Sequence, residues 1–324
     1  MGARLEPTAR RVTVQARAKI NLFLAVGPRR PDGFHDLATV FQSVDLADTL
    51  VVEPRRRGFT LVVRHEDASL VRRLPGSPVQ PPRRPVASVP RGAANLVLRA
   101  ARRVAAHTGI DGGARFTLIK RIPARAGLGG GSSDAAAVII ALPSLYGVRI
   151  GREEKLAIAA EIGSDVPFAI VGGTALGFGR GERLTPIRMV RPFRALIAVP
   201  SWRVSTAEAF TRIDRRKYAL TAWRAKLKSA QSLGRKQLSA AHLMRLGNVF
   251  EHVLENRRSE FISLCSRLRE TGVTGTRMTG TGSAVFGILP PGRSAKEVVD
   301  RFVGKEKLYV ARSAPVGLRI NRLP

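Results

Sequence analysis

The stretch from Arg121 to Ala136, RIPARAGLGGGSSDAA, places four glycines and two serines directly before an alanine-rich segment that predicts a buried helix. Glycine loses more conformational freedom on folding than any other residue, so an ordered loop of this composition needs a reason. Backbone N–H groups freed by such a turn, together with the positive end of the helix dipole, can bind phosphate. Ser132 and Ser133 add hydroxyl donors and can cap the helix. The stretch therefore predicts a phosphate-binding loop.

Two common glycine motifs do not fit this stretch. A Walker A loop ends its G-x-x-x-x-G spacing with Lys-Ser or Lys-Thr, and no such pair follows these glycines. The dinucleotide fingerprint G-x-G-x-x-G fails at Ser132, where its third glycine should stand. A structural turn remains the simpler alternative, but the density of glycine and serine favours a phosphate site.

The net charge of +31, from 55 Lys and Arg against 24 Asp and Glu, is a second chemical feature. Such a charge suits nucleic acid, an anionic membrane surface or phosphorylated ligands, and a solvated arginine-rich surface explains it as well. The basic residues form small clusters along the chain, and aromatic residues make up only 6%, which is poor for stacking on bases. We therefore do not expect nucleic-acid binding to be the main function.

The chain carries one cysteine, Cys265, so it cannot form an internal disulfide. This fits a reducing compartment, as does an N-terminal segment without the apolar centre of a signal peptide. No run approaches the 18 apolar residues of a membrane span. We expect a cytoplasmic protein without a membrane partner. Its hydrophobic fraction of 44% is sufficient for a sizeable core.

Periodicity predicts the elements that must position the loop. Strands are expected at Val12–Ala18, at Ile20–Val26 and in the segments TLVVE and FTLVVR. Residues 68–93 are rich in proline and arginine and predict a surface loop. Asn95 opens an amphipathic helix that ends at Gly109, and a strand over residues 114–120 precedes the glycine loop.

The second half of the chain mixes the periodicities of helices and strands. The later elements, in order, are a helix over 153–163, a hairpin in TALGFGRGERLTPI, a strand over 195–200, polar helical segments to Thr271, a strand–turn–strand over 276–289, a helix in SAKEVVDRFVG and a last strand in KLYVARSA. The fold class is α+β, with a break near Pro200 and domains at 1–200 and 201–324.

Four motifs together carry a resemblance to a known family. The segment PARAGLGGGSSDAA resembles the ATP-binding loop of the superfamily of galactokinase, homoserine kinase, mevalonate kinase and phosphomevalonate kinase, the GHMP kinases. Residues 16–50, 162–187 and 276–288 resemble, in the right order, motifs of the branch that phosphorylates 4-diphosphocytidyl-2-C-methyl-D-erythritol. The resemblance implies a two-lobed fold, with an N-terminal lobe like ribosomal protein S5, a C-terminal α/β lobe and the active site in the cleft between them.

The resemblance also implies catalytic roles. A kinase holds an acceptor hydroxyl in line with the γ-phosphate, and a carboxylate can take the hydroxyl proton. Asp165 is the implied carboxylate, and Lys19 is the partner that keeps it ionised and orients the hydroxyl. Taken singly, Asp165 would be read as a turn residue of GSDVP and Lys19 as an exposed strand lysine.

The acceptor is expected to contact three residues. Asn21 follows Lys19 by two positions, so both project from one face of an extended segment, and Asn21 can donate to a substrate hydroxyl. His35 is implied to read the edge of cytosine. Phe34 stands where the family usually has tyrosine, so its ring can stack on the base but the phenolic hydroxyl is missing.

The nucleotide is implied to lie along the glycine loop. Asn95 would lie near the adenine, although it is also a good helix cap, and Lys120 would lie near the nucleotide. Mg²⁺ is expected to enter with ATP and to be coordinated mostly by its phosphates, because the sequence shows no dense carboxylate cluster, and we assign no metal ligands. The implied ATP-binding residues are Asn95, Lys120, Pro123, Gly127, Leu128, Gly129, Gly130, Gly131, Ser132 and Ser133.

Three features depart from the family pattern: the long loop at 68–93, the high charge, and Val249, which replaces an acidic residue. None of them alters Lys19, Asp165 or the glycine loop. Two alternatives stay open: a sister kinase for homoserine or mevalonate, and an inactive relative that binds nucleic acid through its charge. The segment FHDLATVFQSVDL argues against the first, and the retained Lys19 and Asp165 argue against the second. The sequence makes no prediction about the oligomeric state.

Overall fold

The computed structural model describes residues 5–70, 92, 94–189, 191–215, 220–233 and 238–323. Most of the predicted proline- and arginine-rich loop at 68–93 lies outside these residues. The strands are β1 (Arg11–Arg29), β2 (His35–Arg55), β3 (Phe59–His65), β4 (Gly113–Lys120), β5 (Thr174–Gly179), β6 (Arg183–Pro186), β7 (Arg194–Val199), β8 (Thr274–Met278), β9 (Val285–Ile288), β10 (Lys307–Arg312) and β11 (Leu318–Leu323).

The helices surround two sheets. They are α1 (Leu96–Thr108), α2 (Gly130–Leu145), α3 (Arg152–Ile162), α4 (Val166–Val171), α5 (Thr206–Arg215), α6 (Leu220–Leu233), α7 (Ala240–Met244), α8 (Arg258–Glu270) and α9 (Ala295–Asp300), with 3₁₀ turns at Val249–Val253 and Glu255–Arg257. Strand and helix segments are mixed along the chain, and the α+β prediction is confirmed.

The first sheet has seven strands, with the order β11-β1-β2-β4-β3, and β5 pairs with β2 and β6. Along β1, Val12, Val14 and Ala16 alternate with more exposed residues and point into the core formed with α1, α2, α3 and α4. From Ala18 onward every residue to Gly27 is buried. This half of β1 is covered on both sides, which explains why its sequence is continuously apolar from Leu22 to Gly27, whereas the buried Lys19 and Asn21 are polar.

The second sheet has four strands in the order β10-β7-β9-β8. Its apolar residues pack in two further cores, one of which also contains Ile20 and Leu22 of β1, and the other Leu24 and Val26. Strand β1 therefore runs from the core of the first lobe into the cores of the second. The two segments predicted as separate strands at Val12–Ala18 and Ile20–Val26 form one strand.

The prediction that KLYVARSA is the last strand is wrong, because β11 follows it and pairs antiparallel with β1. Five of the six residues of β11 are exposed, and its alternation of apolar and polar residues spans only Leu318–Asn321 before it breaks at Arg322, which makes a weak strand signal. Residue 200 does not separate the two sheets. Strand β7 lies before it in the chain but belongs to the second sheet, and β11 lies after it but belongs to the first. The division into domains at 1–200 and 201–324 stays a prediction.

Candidate active site

A continuous cleft lies between the two sheets. It consists of a larger cavity of about 910 Å³ and a smaller one of about 470 Å³. Both are lined by Arg125, Gly127, Gly129, Ser132 and Thr206, so the two spaces are joined along the glycine loop. The larger cavity is lined by all five predicted catalytic and acceptor residues, namely Lys19, Asn21, Phe34, His35 and Asp165. The smaller cavity is lined by nine of the ten predicted nucleotide residues, all but Ser133.

Lys19 and Asp165 meet in the larger cavity. The Lys19 ammonium lies 3.5 Å from Oδ2 of Asp165 and 5.6 Å from the centre of the Phe41 ring. The lysine is 7% exposed, whereas the aspartate side chain is 34% exposed and thus accessible to a ligand. Asp165 occupies the cap position before α4 but makes no capping hydrogen bond with its side chain. Its carboxylate is therefore presented to the cleft.

Asn21 holds Lys19 in place. The Lys19 ammonium donates to Oδ1 of Asn21 at 2.7 Å, and the same oxygen accepts from the backbone N–H of Gly280 at 2.9 Å. The Asn21 amide nitrogen donates to Oγ1 of Thr39 at 2.8 Å, and the Asn21 backbone donates to Oγ1 of Thr279 at 3.1 Å. The prediction that Lys19 and Asn21, two positions apart, project from the same face of the strand is confirmed. Asn21 is 2% exposed, so its most evident structural effect is to orient the ammonium.

The glycine loop lies too close to other parts of the chain to carry side chains at two positions. Gly127 has a φ of 78°, and a Cβ there would lie 2.0 Å from the Thr279 carbonyl oxygen. Gly129 has a φ of 70°, and a Cβ there would lie 2.8 Å from Cγ of Lys19. Both positions require glycine, because L-residues disfavour this region and the space is already filled.

Helix α2 begins at Gly130, with Gly129 as its cap residue and no side-chain cap. The prediction that Ser132 or Ser133 caps this helix is therefore wrong: both lie inside its first turn. The Ser133 hydroxyl is buried and donates to the Arg17 carbonyl at 2.7 Å. The residues of this uncapped first turn, Gly130, Gly131 and Ser132, line the smaller cavity, where an anion would be stabilised by the helix dipole.

A second loop, from Thr279 to Gly282, closes the cleft from the C-terminal lobe. Oγ1 of Thr279 donates to the Gly127 carbonyl at 3.1 Å, which ties this loop to the glycine loop. Asn248 supports it from behind, because its amide nitrogen donates to the carbonyls of Met278 and Gly280, both at 2.8 Å. Next to Asn248, Val249 is buried in the apolar core of the C-terminal lobe. The departure at Val249 thus replaces an acidic residue with a packing residue.

A buried charge cluster lies under the smaller cavity. The Lys120 ammonium contacts Oδ2 of Asp48 and lies 2.7 Å from Oδ2 of Asp134. Oδ1 of Asp48 accepts from the backbone N–H groups of Arg121 at 2.5 Å and Ile122 at 2.9 Å, which fixes the start of the glycine loop. Oδ1 of Asp134 has no hydrogen-bond partner among the residues that the structure describes.

Burial and like charge govern protonation in this cluster. Burial raises the pKa of Asp134 to about 8; the Lys120 ammonium opposes this rise, and the Asp48 charge adds to it. Burial disfavours the charged form of Lys120, but the charges of Asp134 and Asp48 outweigh this effect and raise its pKa. One ammonium faces two carboxyl groups, so a proton on Asp134 keeps the cluster neutral.

The remaining predicted nucleotide residues border the smaller cavity. Asn95 caps α1, with its Oδ1 accepting from the Val97 N–H at 2.8 Å, so the capping prediction is confirmed. Pro123 lines the cavity wall. The Leu128 side chain lies in the apolar core, and its backbone carbonyl accepts from the Lys19 N–H at 3.0 Å. Leu128 thus fixes the loop against β1 rather than presenting its side chain to a ligand.

His35 is held on two sides by α5. Its Nε2 lies 2.7 Å from Oδ1 of Asp214, and its ring stacks on Phe210 with centroids 5.0 Å apart and planes 25° apart. The histidine is 7% exposed. Phe34, by contrast, is 49% exposed, and the guanidinium of Arg180 lies 4.8 Å from its ring centre. His35 therefore offers a ligand a fixed polar edge, and Phe34 offers it an exposed aromatic face.

Sequence reasoning missed several residues of the cleft. Arg125, Arg180 and Arg203 line the larger cavity with Lys19 and give it a positive lining, offset by Asp165 and Glu208. Arg203 is further held by a hydrogen bond of 3.0 Å to the Ala124 carbonyl, beside the glycine loop. In a chain with 55 basic residues, nothing distinguished these arginines from the others.

The described residues contain neither a metal-ligating cluster nor a membrane-spanning helix. No group of three or more His, Cys, Asp or Glu side chains in the described part of the chain could hold a metal ion. In the same residues, no helix is both long and apolar enough to cross a membrane.

Comparisons with known proteins point in one direction. The family model for the N-terminal domain of GHMP kinases matches residues 95–173, and the model for their C-terminal domain matches residues 224–306. A protein of Pelotomaculum thermopropionicum named 4-diphosphocytidyl-2-C-methyl-D-erythritol kinase is 36% identical over 90% of this chain and 93% of its own length. A protein of the same name from Gloeobacter violaceus is 35% identical over 95% of this chain and 96% of its own length.

Solved structures agree with these matches. A crystal structure of 4-(cytidine 5'-diphospho)-2C-methyl-D-erythritol kinase superposes with a TM-score of 0.69 and 31% identity, covering 93% of this chain and 99% of that one. A homoserine kinase from Cytophaga hutchinsonii superposes with a TM-score of 0.71 over 99% of this chain and 100% of that one, but at 17% identity. The second likeness therefore concerns the fold alone.

Proposed function

The chain belongs to the family of 4-diphosphocytidyl-2-C-methyl-D-erythritol kinases, and from this premise we propose which hydroxyl it phosphorylates and how. As an ATP-dependent kinase of the non-mevalonate isoprenoid precursor pathway, it transfers the γ-phosphoryl group of ATP to the 2-hydroxyl of 4-(cytidine 5'-diphospho)-2-C-methyl-D-erythritol. The products are ADP and the 2-phosphate. The observation that carries the proposal is the Lys19–Asp165 pair, which lies in one cavity with His35 and beside the glycine loop.

Asp165 acts as the general base. The acceptor oxygen forms the new bond to the γ-phosphorus as the bond from that phosphorus to the β-phosphate oxygen breaks, and the hydroxyl proton passes to the Asp165 carboxylate. Lys19, fixed by Asn21, lies close enough to Asp165 to orient both the carboxylate and the incoming hydroxyl. Transfer is direct and in line, so no covalent enzyme intermediate forms.

The glycine loop and the start of α2 bind the ATP phosphates. Gly129, Gly130, Gly131 and Ser132 border the smaller cavity, which would hold the nucleoside, and Gly129 and Ser132 also border the larger one. Asn95, Lys120 and Pro123 lie at the nucleoside end. This arrangement directs the γ-phosphate toward Asp165, because the loop forms the border that the two cavities share.

The acceptor lies in the larger cavity. His35 contacts the edge of the cytosine and Phe34 its face, while the cavity's arginines neutralise the diphosphate linkage between cytidine and methylerythritol. The volume of about 910 Å³ lies within the range that ligands of this size occupy. The phenolic hydroxyl that the family tyrosine would supply is absent, so this contact depends on the ring alone.

Mg²⁺ is expected to accompany ATP and to neutralise charge on the transferred group. The described residues offer no cluster of three metal-ligating side chains, so we derive no step of the reaction from a protein-bound metal. A cytoplasmic location and the absence of a nucleic-acid partner remain predictions of the sequence.

The proposal is tested by measuring ADP release with three acceptors supplied separately: the cytidyl substrate, homoserine and mevalonate. We expect only the cytidyl substrate to stimulate turnover. Stimulation by homoserine or mevalonate alone would assign the chain to a sister specificity. If none of the three stimulates ADP release, the proposed kinase reaction is wrong.

A further inference from the structure

The contact between His35 and Asp214 determines which ring nitrogen carries the proton. A carboxylate only accepts hydrogen bonds, so the imidazole nitrogen that faces it must carry a hydrogen. The distance of 2.7 Å between Nε2 of His35 and Oδ1 of Asp214 therefore assigns the hydrogen to Nε2. In the neutral ring, Nδ1 then keeps its lone pair and can only accept.

The surroundings leave Nδ1 for a ligand. Phe210 covers one face of the ring, and Phe210 and Asp214 lie four positions apart in α5, on the same side of that helix. Nδ1 makes no hydrogen bond to the residues that the structure describes, and His35 lines the larger cavity. Helix α5 thus fixes the ring through Nε2 and through one face, and Nδ1 is the ring nitrogen that these contacts leave for a ligand in the cavity.

The two pyrimidine bases differ at the position such a nitrogen can read. Cytosine carries a donating amino group at C4, whereas uracil, like thymine, carries an accepting carbonyl there. An accepting Nδ1 pairs with the amino group of cytosine and opposes the carbonyl of uracil. With the hydrogen on Nδ1 instead, the preference would be reversed.

We propose that Asp214 is a positioning residue that holds His35 in the Nε2–H tautomer and so makes the site select cytosine over uracil. Asp214 touches no substrate atom in this scheme; it acts through the imidazole. The inference rests on the proposed function, since it requires that His35 contacts the base. It adds to that function a residue of the C-terminal half of the chain, carried by α5, that sets base specificity.

The experiment compares the wild type with Asp214→Asn and Asp214→Glu, using the cytidyl substrate and its uridine counterpart. Because an amide can present either its accepting oxygen or its donating NH2 to Nε2, Asp214→Asn no longer fixes the tautomer and is expected to raise KM for the cytidyl substrate at least about tenfold. Its kcat should stay within about threefold, because Lys19 and Asp165 are untouched. The ratio of kcat/KM for cytidine over uridine should fall at least about tenfold, and Asp214→Glu should restore most of it.

A matched control is available at the surface. His107 and Glu154 form a second histidine–carboxylate pair at 2.8 Å, and neither residue lines the two cavities. Glu154→Gln should leave the ratio of cytidine to uridine use unchanged. An unchanged ratio in Asp214→Asn, or a wild type that uses both substrates equally, overturns the proposal.

A second measurement does not depend on the folding of a variant. Nitrogen NMR of ring-labelled histidine in the wild type, with His35 assigned through His35→Gln, shows directly which ring nitrogen carries hydrogen. We expect Nε2–H; finding Nδ1–H in the neutral ring overturns the proposal. His35→Ala tests separately whether His35 contacts the base. An unchanged KM for the cytidyl substrate in this variant means that it does not, and the proposed role of Asp214 is then wrong as well.

Discussion

The ammonium of Lys19 lies 3.5 Å from the Asp165 carboxylate, and the two residues reach this contact from a long strand and from a loop before a short helix. The lysine is buried and fixed, whereas the carboxylate is partly open to the cavity. This asymmetry suits a pair in which one member positions and the other receives a proton.

Asp165→Asn should lower turnover by about 10²–10⁴-fold, because an amide cannot accept the hydroxyl proton. ATP affinity, measured by calorimetry without acceptor, should change little, since Asp165 lines only the larger cavity. Asp300→Asn, which alters an exposed carboxylate paired with Lys296, serves as the control. Near-normal turnover in Asp165→Asn would contradict the assignment of Asp165 as the general base.

Gly127→Ala should lower the free energy of unfolding by about 2–4 kcal/mol, because it combines a left-handed φ with a clash against the Thr279 carbonyl. Gly131→Ala, in the first turn of α2, is the matched substitution. Its Cβ would meet only Cδ1 of Leu96 at 3.6 Å, so helix propensity should raise the free energy of unfolding by up to about 1 kcal/mol. Urea denaturation measures both, and equal effects of the two substitutions would contradict the packing argument.

Asp134→Asn should remove a pH dependence of stability. The folded state raises the pKa of Asp134 from its ordinary value of 3.8 to about 8, so between these values the folded state binds more protons than the unfolded state. The contribution of Asp134 is therefore fully present at low pH and lost as the pH rises through about 8. The asparagine amide resembles the protonated carboxyl, so the two proteins should be closest in stability near pH 4, where the carboxyl begins to ionise in the unfolded state, and by about pH 6 the wild type should already be the less stable of the two.

The measurement is urea denaturation of both proteins from about pH 6 to pH 9.5. The stability of the wild type relative to Asp134→Asn should fall with increasing pH, by at most about 1.4 kcal/mol per pH unit, and level off above about pH 8. A difference that is constant over this range means that Asp134 is ionised throughout, and that the cluster with Lys120 and Asp48 carries a net negative charge.

Ionic strength should lower kcat/KM for both anionic substrates by several-fold between about 50 and about 500 mM salt, because the basic lining of the cavity attracts them over long range. Arg203→Gln should flatten this dependence, since Arg203 lies at the cavity and beside the glycine loop. Arg301→Gln, at the end of α9, is the control of equal charge. The same salt slope in both variants would assign the effect to overall charge rather than to the cavity.

Sequence patterns within a few residues were enough to predict those parts of the site that lie on one continuous segment. The glycine loop, the cap at Asn95 and the common face of Lys19 and Asn21 follow from periodicity and composition within a few residues. The resemblance of four motifs then led to the family, which the relatives and the solved structure confirm. The roles of Lys19 and Asp165 stay predictions.

Other contacts could not be predicted because they join distant parts of the chain. Asp214 contacts His35 across a separation of 179 residues, and the sequence around neither residue indicates this contact. The serine caps were wrong because Gly129 already provides the cap and Ser133 bonds to Arg17 instead. Strand β11 was missed because the apolar alternation of this exposed edge strand spans only Leu318–Asn321.

The pairing of β11 with β1 has a consequence for biosynthesis. Among the strands of its sheet, β11 leaves the ribosome last, so β1 keeps one edge unpaired through most of translation. Domains otherwise fold as their N-terminal parts emerge, and an open edge is a template for pairing with another chain. The strand that carries Lys19 is thus among the first made, yet the nascent protein completes the sheet around it only when residues 318–323 arrive.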